Sequence, residues 1–215
     1  MIRFDRSHQA LAIGVSALAG FVDAVGFVES AGFFVSFMTG NSTRLAVGAA
    51  GWQQAGLIAG ALIALFVTGV IAGSLVGARF RGQRAWVVLA LVSLLLALAM
   101  ACRLFDIVWA AVACLALAMG AVNAALEGRD GAVIGVTYMT GTLVQMGQKM
   151  ANALRGVEDR RWWPHLALWA GLVAGAIIGA RVVLWSAPAG YGLAVGLAVL
   201  LMVRAIWTAR AVPDI

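Results

Sequence analysis

Charge is what this sequence has least of. Only 11% of its 215 residues are Asp, Glu, Lys or Arg, against roughly 25% in a soluble globular domain. With 63% hydrophobic residues and a mean hydropathy of +0.98, a water-soluble fold is excluded and an integral membrane protein is expected. Cysteine is nearly missing. Cys102 and Cys114 both lie inside apolar runs, which gives neither a disulfide framework nor metal-ligand spacing. Histidine is as scarce: His8 and His165 stand at the edges of apolar runs and read as interfacial side chains rather than ligands. No serine has a histidine and an acid buried beside it, and the glycine-rich stretches lack the strand–turn–helix setting of a nucleotide loop. An enzyme is therefore not expected, nor a cofactor or a metal. The net charge of +6 does not mark a nucleic-acid surface either. The basic residues lie in short loops between apolar runs, where they orient a chain in a bilayer.

What is present is a series of eight apolar segments, at about 9–28, 31–50, 55–78, 85–102, 106–126, 131–151, 164–184 and 190–208. Each approaches the roughly 20 residues a helix needs to cross a membrane. Most tryptophans, Trp52, Trp86, Trp109, Trp162, Trp163, Trp185 and Trp207, fall near segment ends, as in an aromatic belt. The first segment is too continuous with the repeat to read as a cleaved signal peptide, so it is taken as the first membrane helix.

Two of the segments are interrupted by the same motif. Phe37-Met38-Thr39-Gly40-Asn41 and Tyr138-Met139-Thr140-Gly141-Thr142 stand 101 positions apart, each within an otherwise apolar run. A glycine flanked by hydroxyl and amide side chains weakens helix and offers polar groups where packing groups would serve an anchor. Interrupted hydrophobic segments at corresponding places in two halves are the best sequence pointer to a transporter's central site. Two further matches keep the same order. Gly20-Phe21-Val22-Asp23-Ala24 matches Gly120-Ala121-Val122-Asn123-Ala124, and Gly69, Gly73 and Gly77 match Gly171, Gly175 and Gly179. The chain therefore reads as two membrane repeats, 1–104 and 105–215, forming one membrane domain.

If all eight segments crossed the membrane, arginine would divide 8 to 5 between the two sides, leaving Arg44 aside. If the two motif segments instead dip in and return, six spans remain and arginine divides 11 to 2. Positive charge collects on the cytoplasmic side. The expected fold is therefore all-α, with about six transmembrane helices, two broken or re-entrant Met-Thr-Gly segments, an inverted 3+3 repeat and both termini cytoplasmic. A parallel 4+4 arrangement is the competitor. The two glycine series place small residues on one helix face, where helices approach closely. Packing within the chain is the plainer use of the Gly69/Gly73/Gly77 and Gly171/Gly175/Gly179 faces, and a homodimer interface is the other.

Asp23 is the one carboxylate well inside an apolar run; Glu29 and Glu127 lie near ends. An acid near a helix centre costs about 2.5–3.5 kcal/mol on insertion scales, so a partner or a role is expected. Arg44 is the nearest intramembrane cation along the chain. In the second half, Asn123 replaces Asp23 and Gln145 replaces Arg44, a joint loss that a contacting ion pair would leave behind. Two uses of such a pair stay open, a structural clasp and a switch operated by a proton or an anionic solute. The motif itself offers hydroxyls, Asn41 and free N–H groups to an anion, or free carbonyls to a cation.

The stretch Gly20–Phe27 with Met38-Thr39-Gly40-Asn41, Asn123-Ala124-Ala125 and Tyr138–Leu143 resembles the YoaK-like domain-of-unknown-function family of small bacterial inner-membrane proteins. The resemblance covers nearly the whole chain. It implies a multi-pass protein of the bacterial cytoplasmic membrane with about six spans, and it implies no substrate. The residues themselves lead to a small secondary transporter of a small polar solute or ion. Thr39, Gly40, Asn41, Thr140, Gly141 and Thr142 would form the midplane site, Asp23 would act as coupling or gating acid, and Arg44, Asn123 and Gln145 would be its associates. A small ion channel and a non-transporting membrane scaffold are the alternatives. The lipid bilayer and the solute are the expected partners, with no nucleic acid.

Overall fold

A computed structural model of the chain describes residues 6–126, 137–156 and 161–210. Its regular elements there are helical: α1 (Arg6–Glu29), α2 (Met38–Ala50), α3 (Gln54–Arg79), α4 (Arg84–Leu104), α5 (Val108–Val122), α6 (Met139–Leu154), α7 (Trp163–Trp185) and α8 (Ala187–Arg210). One 3₁₀ turn, Arg81–Gln83, links α3 to α4. Five stretches are long and apolar enough to cross a bilayer: Gln9–Glu29, Gln54–Arg79, Arg84–Leu104, Trp163–Trp185 and Ala187–Ala209. The sixth expected span is shorter. The α-helix of α5 ends at Val122 after 15 residues, which is about 22 Å at 1.5 Å per residue, less than a hydrocarbon core of roughly 30 Å. There the chain tightens into successive three-residue turns, with the amides of Asn123, Ala124 and Ala125 donating to Gly120, Ala121 and Val122. Glu127 and residues 131–136, where the second motif segment is expected to begin, lie outside the described residues.

The helix ends are local and specific. After α1 the amide of Gly32 donates to the Phe27 carbonyl at 2.8 Å and that of Ala31 to Val28, with Ala31 in the left-handed region at φ 55°. This Schellman pattern satisfies carbonyls that a helix end leaves open. The same closure recurs after α2 at Trp52 and after α4 at Asp106. Ser30 then fixes the reversal, its hydroxyl donating to the Gly26 carbonyl at 2.6 Å and accepting the Phe33 amide at 3.1 Å. The chain turns back along α1 instead of leaving it.

Packing is organised around α1 and α5, the most buried of the helices. α1 lies along α7 and α3 lies along α5, while α4 joins α8 and α5. Glycine makes these crossings. A Cβ on Gly20 would collide with the Leu172 carbonyl, and one on Gly175 with the Ala17 carbonyl. At the other crossing a Cβ on Gly120 would collide with the Phe66 carbonyl, and one on Gly69 with the Leu117 carbonyl. Gly73 and Gly179 are seated in the same way on Ala121 and Phe21, and Gly77 is covered by Arg84. The glycine faces are thus filled by the chain's own helices, which corrects the homodimer reading of those faces. Lipid contact falls instead to large apolar side chains such as Leu57, Leu75, Leu94, Ile177, Leu184 and Leu200, all exposed. Trp52, Trp109, Trp163, Trp185 and Trp207 are exposed at or near helix ends, where a membrane interface suits them.

Two polar ties set helix direction. Arg103 Nε donates to Glu29 Oε2 at 2.6 Å, which joins the C-terminal ends of α1 and α4. Arg84 Nε donates to the Ala124 carbonyl at 2.9 Å, which joins the start of α4 to the end of α5.

Gly20→Ala and Gly120→Ala are each expected to lower thermal stability in detergent by the equivalent of about 1–3 kcal/mol, the usual cost of overpacking. Gly147→Ala, on α6 where no described residue lies within 4 Å of the added carbon, is expected to leave stability unchanged or raise it by about 0.5–1 kcal/mol. Melting curves of the purified variants decide it.

A candidate solute cleft between the two motif helices

The segment Phe33–Phe37, folded back along α1, meets Asp23. Its carboxylate oxygen Oδ1 accepts the amides of Val35 at 2.9 Å and Ser36 at 2.8 Å. Val35 is fully buried against Gly26, where a Cβ would press into its methyl groups. Asp23 lies six residues before Glu29 in the helix, so the loop descends about 9 Å along α1 at 1.5 Å per residue. α2 therefore begins well below the end of the helix that precedes it.

Both motif helices start in one way. The amide of Met38 donates to the Ser36 carbonyl at 3.1 Å and that of Met139 to the Thr137 carbonyl at 3.0 Å. Phe37 (φ −87°, ψ 75°) and Tyr138 (φ −85°, ψ 58°) are the centres of these inverse γ-turns. Helix then begins at the methionine of each copy. In the second copy Thr137 stands where Ser36 stands in the first, and its hydroxyl donates to Asn123 Oδ1 at 2.8 Å. Asn123 in turn donates to the Met119 carbonyl at 2.8 Å. A polar residue, Asp23 within α1 and Asn123 just past the end of α5, thus holds the entry to each motif helix.

The two starts line one cavity of about 170 Å³, formed by Ser36, Phe37, Met38 and Thr39 on one wall and Thr137, Tyr138, Met139, Thr140 and Gly141 on the other, with Phe66 of α3 beside them. That is room for a solute displacing on the order of five waters. The helices face each other across this space without touching, since no Cα pair between α2 and α6 comes within 8 Å. Its polar groups are mostly donors. The Ser36 and Thr137 carbonyls are taken by the γ-turns, and Phe37 accepts the amides of Gly40 and Asn41. Tyr138 accepts the amide and hydroxyl of Thr142. Thr39, Thr140 and Gly141 lie in first helical turns, where N–H groups have no intrahelical acceptor. Such a rim suits an anion or the acceptor end of a polar solute.

Of the residues singled out from the sequence, Thr39, Thr140 and Gly141 line the cleft. The others do not. Asn41 is wholly buried and is used up locally, its Nδ2 donating to the Phe34 carbonyl at 2.6 Å and its Oδ1 accepting the Phe34 amide at 3.1 Å. Thr142 is buried and back-bonded to Tyr138. Gly40 is covered by the rings of Phe34 and Phe37 rather than by the other motif. Arg44 does not pair with Asp23. Its guanidinium lies 5.0 Å above the Phe33 ring, close to Gly32. Gln145 is exposed on α6 and takes no part in the cleft. The joint change of Asp23 and Arg44 to Asn123 and Gln145 is therefore not the trace of an ion pair. Ser36 and Thr137 escape a reading of the sequence alone, although both are hydroxyl residues two places before the motif methionine, which is a signal the repeat contains.

The helices and their lipid-facing side chains define a multi-pass membrane protein. The chain belongs to the DUF1275 family, proteins of unknown function, which it matches over residues 11–206. It is similar to the UPF0700 transmembrane protein RA0705 of Rhizobium meliloti (strain 1021), 42% identical over 192 residues that cover 85% of this chain and 80% of that protein. No solved structure matches it.

Asn41→Ala is expected to destabilise the protein by about 1–3 kcal/mol, because it leaves the partly buried amide and carbonyl of Phe34 without these partners. Asp23→Asn and Arg44→Gln, combined in a double-mutant cycle, are expected to add within about 0.5 kcal/mol, as sites without contact do. Unfolding of the four proteins in one detergent measures both.

Proposed function

We propose that this protein is a small secondary transporter of a small polar solute or ion, and that the cleft between α2 and α6 is its central site. The observation that carries this reading is the shared cavity: two copies of one motif, 101 residues apart in the chain, begin two helices at its opposite walls. Nothing in an anchoring role calls for paired helix starts facing a common space within a membrane.

The chain path supports an inverted repeat with re-entrant motif segments. The Glu29–Arg103 tie puts the ends of α1 and α4 at one side, and the short turn at Arg81–Gln83 makes α3 and α4 antiparallel. The start of α3 is then on the Glu29 side, and so is the end of α2, only a short turn before it. The segment from Ser30 to Ala50 thereby leaves and returns on one side. Helix lengths agree with that path: α2 has 13 residues and α6 has 16, about 20 and 24 Å, too short to cross roughly 30 Å alone. The Arg84–Ala124 tie runs α5 opposite to α1. The exchanged pairing, α1 with α7 and α5 with α3, is what two interlocked halves 1–104 and 105–215 produce. Such halves exchange access by rocking about the site they share. Thr39, Thr140 and Gly141 contact the solute in this reading, with Ser36 and Thr137 on the same walls. Substrate contact through donors favours a solute with anionic or carbonyl oxygen. A channel would use the same cleft without alternation, and a scaffold would leave it idle.

Single cysteines from Gly82→Cys and Gly156→Cys, in a chain lacking Cys102 and Cys114, are expected to resist impermeant thiol reagents together in intact cells. Labelling of one alone overturns the inverted plan. In proteoliposomes, accelerated exchange of labelled solute without a gradient identifies a carrier, and non-saturating current identifies a channel. Gly141→Leu projects into space that no described side chain fills. It is expected to abolish flux while the melting temperature stays within a few degrees; full flux with the cleft filled overturns the site.

A further inference from the structure

We propose that Asp23 is a proton-binding site whose charge state sets how firmly the segment Phe33–Phe37 closes the α2 wall of the cleft. The inference rests on the transport reading for its purpose, because it names the coupling ion of that site, but its geometry and its test involve no solute. Asp23 Oδ1 receives the amides of both Val35 and Ser36. Ser36 lines the cleft, and Val35 is fully buried behind it. One carboxylate oxygen therefore holds the part of the wall from which α2 starts.

No cation among the described residues shares this task. The titratable or charged groups on the elements packed against α1 are His165 and Arg181 on α7, Tyr191 and Arg204 on α8, and Cys114 on α5, among the described side chains. None of them bears on Asp23, whose polar neighbours are Val35, Ser36 and Phe37. Arg44 is occupied at Phe33. The ionised carboxylate is thus compensated by main-chain N–H groups of a loop and by the Ser36 hydroxyl. Hydrogen bonds to an ionised acceptor are about twice as strong as those to a neutral one. Adding a proton weakens both bonds together, and pulling the loop away strips the charge of its compensation, so loop release and proton uptake favour each other.

The second half supplies the internal comparison. Asn123 occupies the matching sequence place, capping the end of α5, and accepts the Thr137 hydroxyl at 2.8 Å. An amide keeps the entry to α6 in place and does not titrate. The two walls are therefore alike in build and unlike in response: the α2 wall answers to protons and the α6 wall does not. One titrating group, and so at most one proton at this pair of positions, follows from that asymmetry.

The test uses Val35→Cys in full-length protein lacking Cys102 and Cys114, reacted with a maleimide in lipid nanodiscs across a pH series. Rates are normalised to Trp52→Cys, which is 96% exposed, because a thiol's own ionisation makes labelling faster as pH rises. The normalised rate is expected to rise as pH falls, approaching tenfold per pH unit across the titration. With Asp23→Asn it is expected to be high and flat. Should that variant fail to fold, Asp23→Glu keeps a titrating group at another reach and is expected to move the midpoint. A flat profile in the parent protein, an unchanged profile in Asp23→Asn or an unmoved midpoint in Asp23→Glu each overturns the proposal. A proton-dependent profile in protein that shows no flux in vesicles removes the transport reading and leaves the proton site standing.

Discussion

Backbone-to-backbone contact at glycine is the constraint on which the rest of this structure depends. Lipid tails are as apolar as leucine, so helices in a membrane gain little from hiding side chains from one another and associate through close packing. Here α1 approaches α7 through Gly20 and Gly175, and α5 approaches α3 through Gly120 and Gly69, at distances where a single added methyl would strike a carbonyl. Those two crossings bury α1 and α5 at the centre and leave Leu57 and Leu75 of α3, Leu94 of α4, Ile177 of α7 and Leu200 of α8 facing outward. They also fix the level at which Asp23 and Asn123 sit, because Gly20 and Gly120 each lie three residues before them.

From that placement the cleft arises by hydrogen bonding. A non-helical segment inside a membrane is tolerated only where its polar groups are satisfied by protein or line a cavity. Phe33–Phe37 meets the condition through Ser30, Asp23 and Asn41, each bonded to its main chain. Asn41, expected from its place in the motif to be a solute ligand, instead clamps both polar groups of Phe34. Its burial is what lets Gly40 and the rings of Phe34 and Phe37 pack into a firm wall. The residues that do face the space are the next ones out, Ser36 and Thr39, with Thr137, Thr140 and Gly141 opposite. A wall built on satisfied backbone and presenting a few hydroxyls combines rigidity with a polar surface, which a solute site requires.

The two motif-bearing stretches differ where it matters chemically. Phe34 has Gly135 as its counterpart and Asp23 has Asn123, so an aromatic ring and a carboxylate of the first half have no equivalent side chain in the second. In the proposed reading, similar helix starts with unequal chemistry behind them allow one wall of the cleft to respond to a stimulus that the other ignores.

Much is legible in the sequence because it is compositional or local. Scarce charge and long apolar runs determine a membrane protein wherever the helices end up, since the bilayer accepts little else. The paired Met-Thr-Gly motifs mark both helix starts, and the glycine series mark helix crossings, because a missing Cβ has the same meaning in any context. Which residues meet is decided only by the tertiary structure. Sequence matches Asp23 with Arg44 because charges are visible there and the joint change to Asn123 and Gln145 points to a pair. Its actual partners are the amides of Val35 and Ser36. Every residue but proline carries an N–H, so a carboxylate that binds main chain leaves no mark on its partner's side chain. The choice among possible amides is made by how far the chain folds back along α1, and that distance is a property of the packed structure alone.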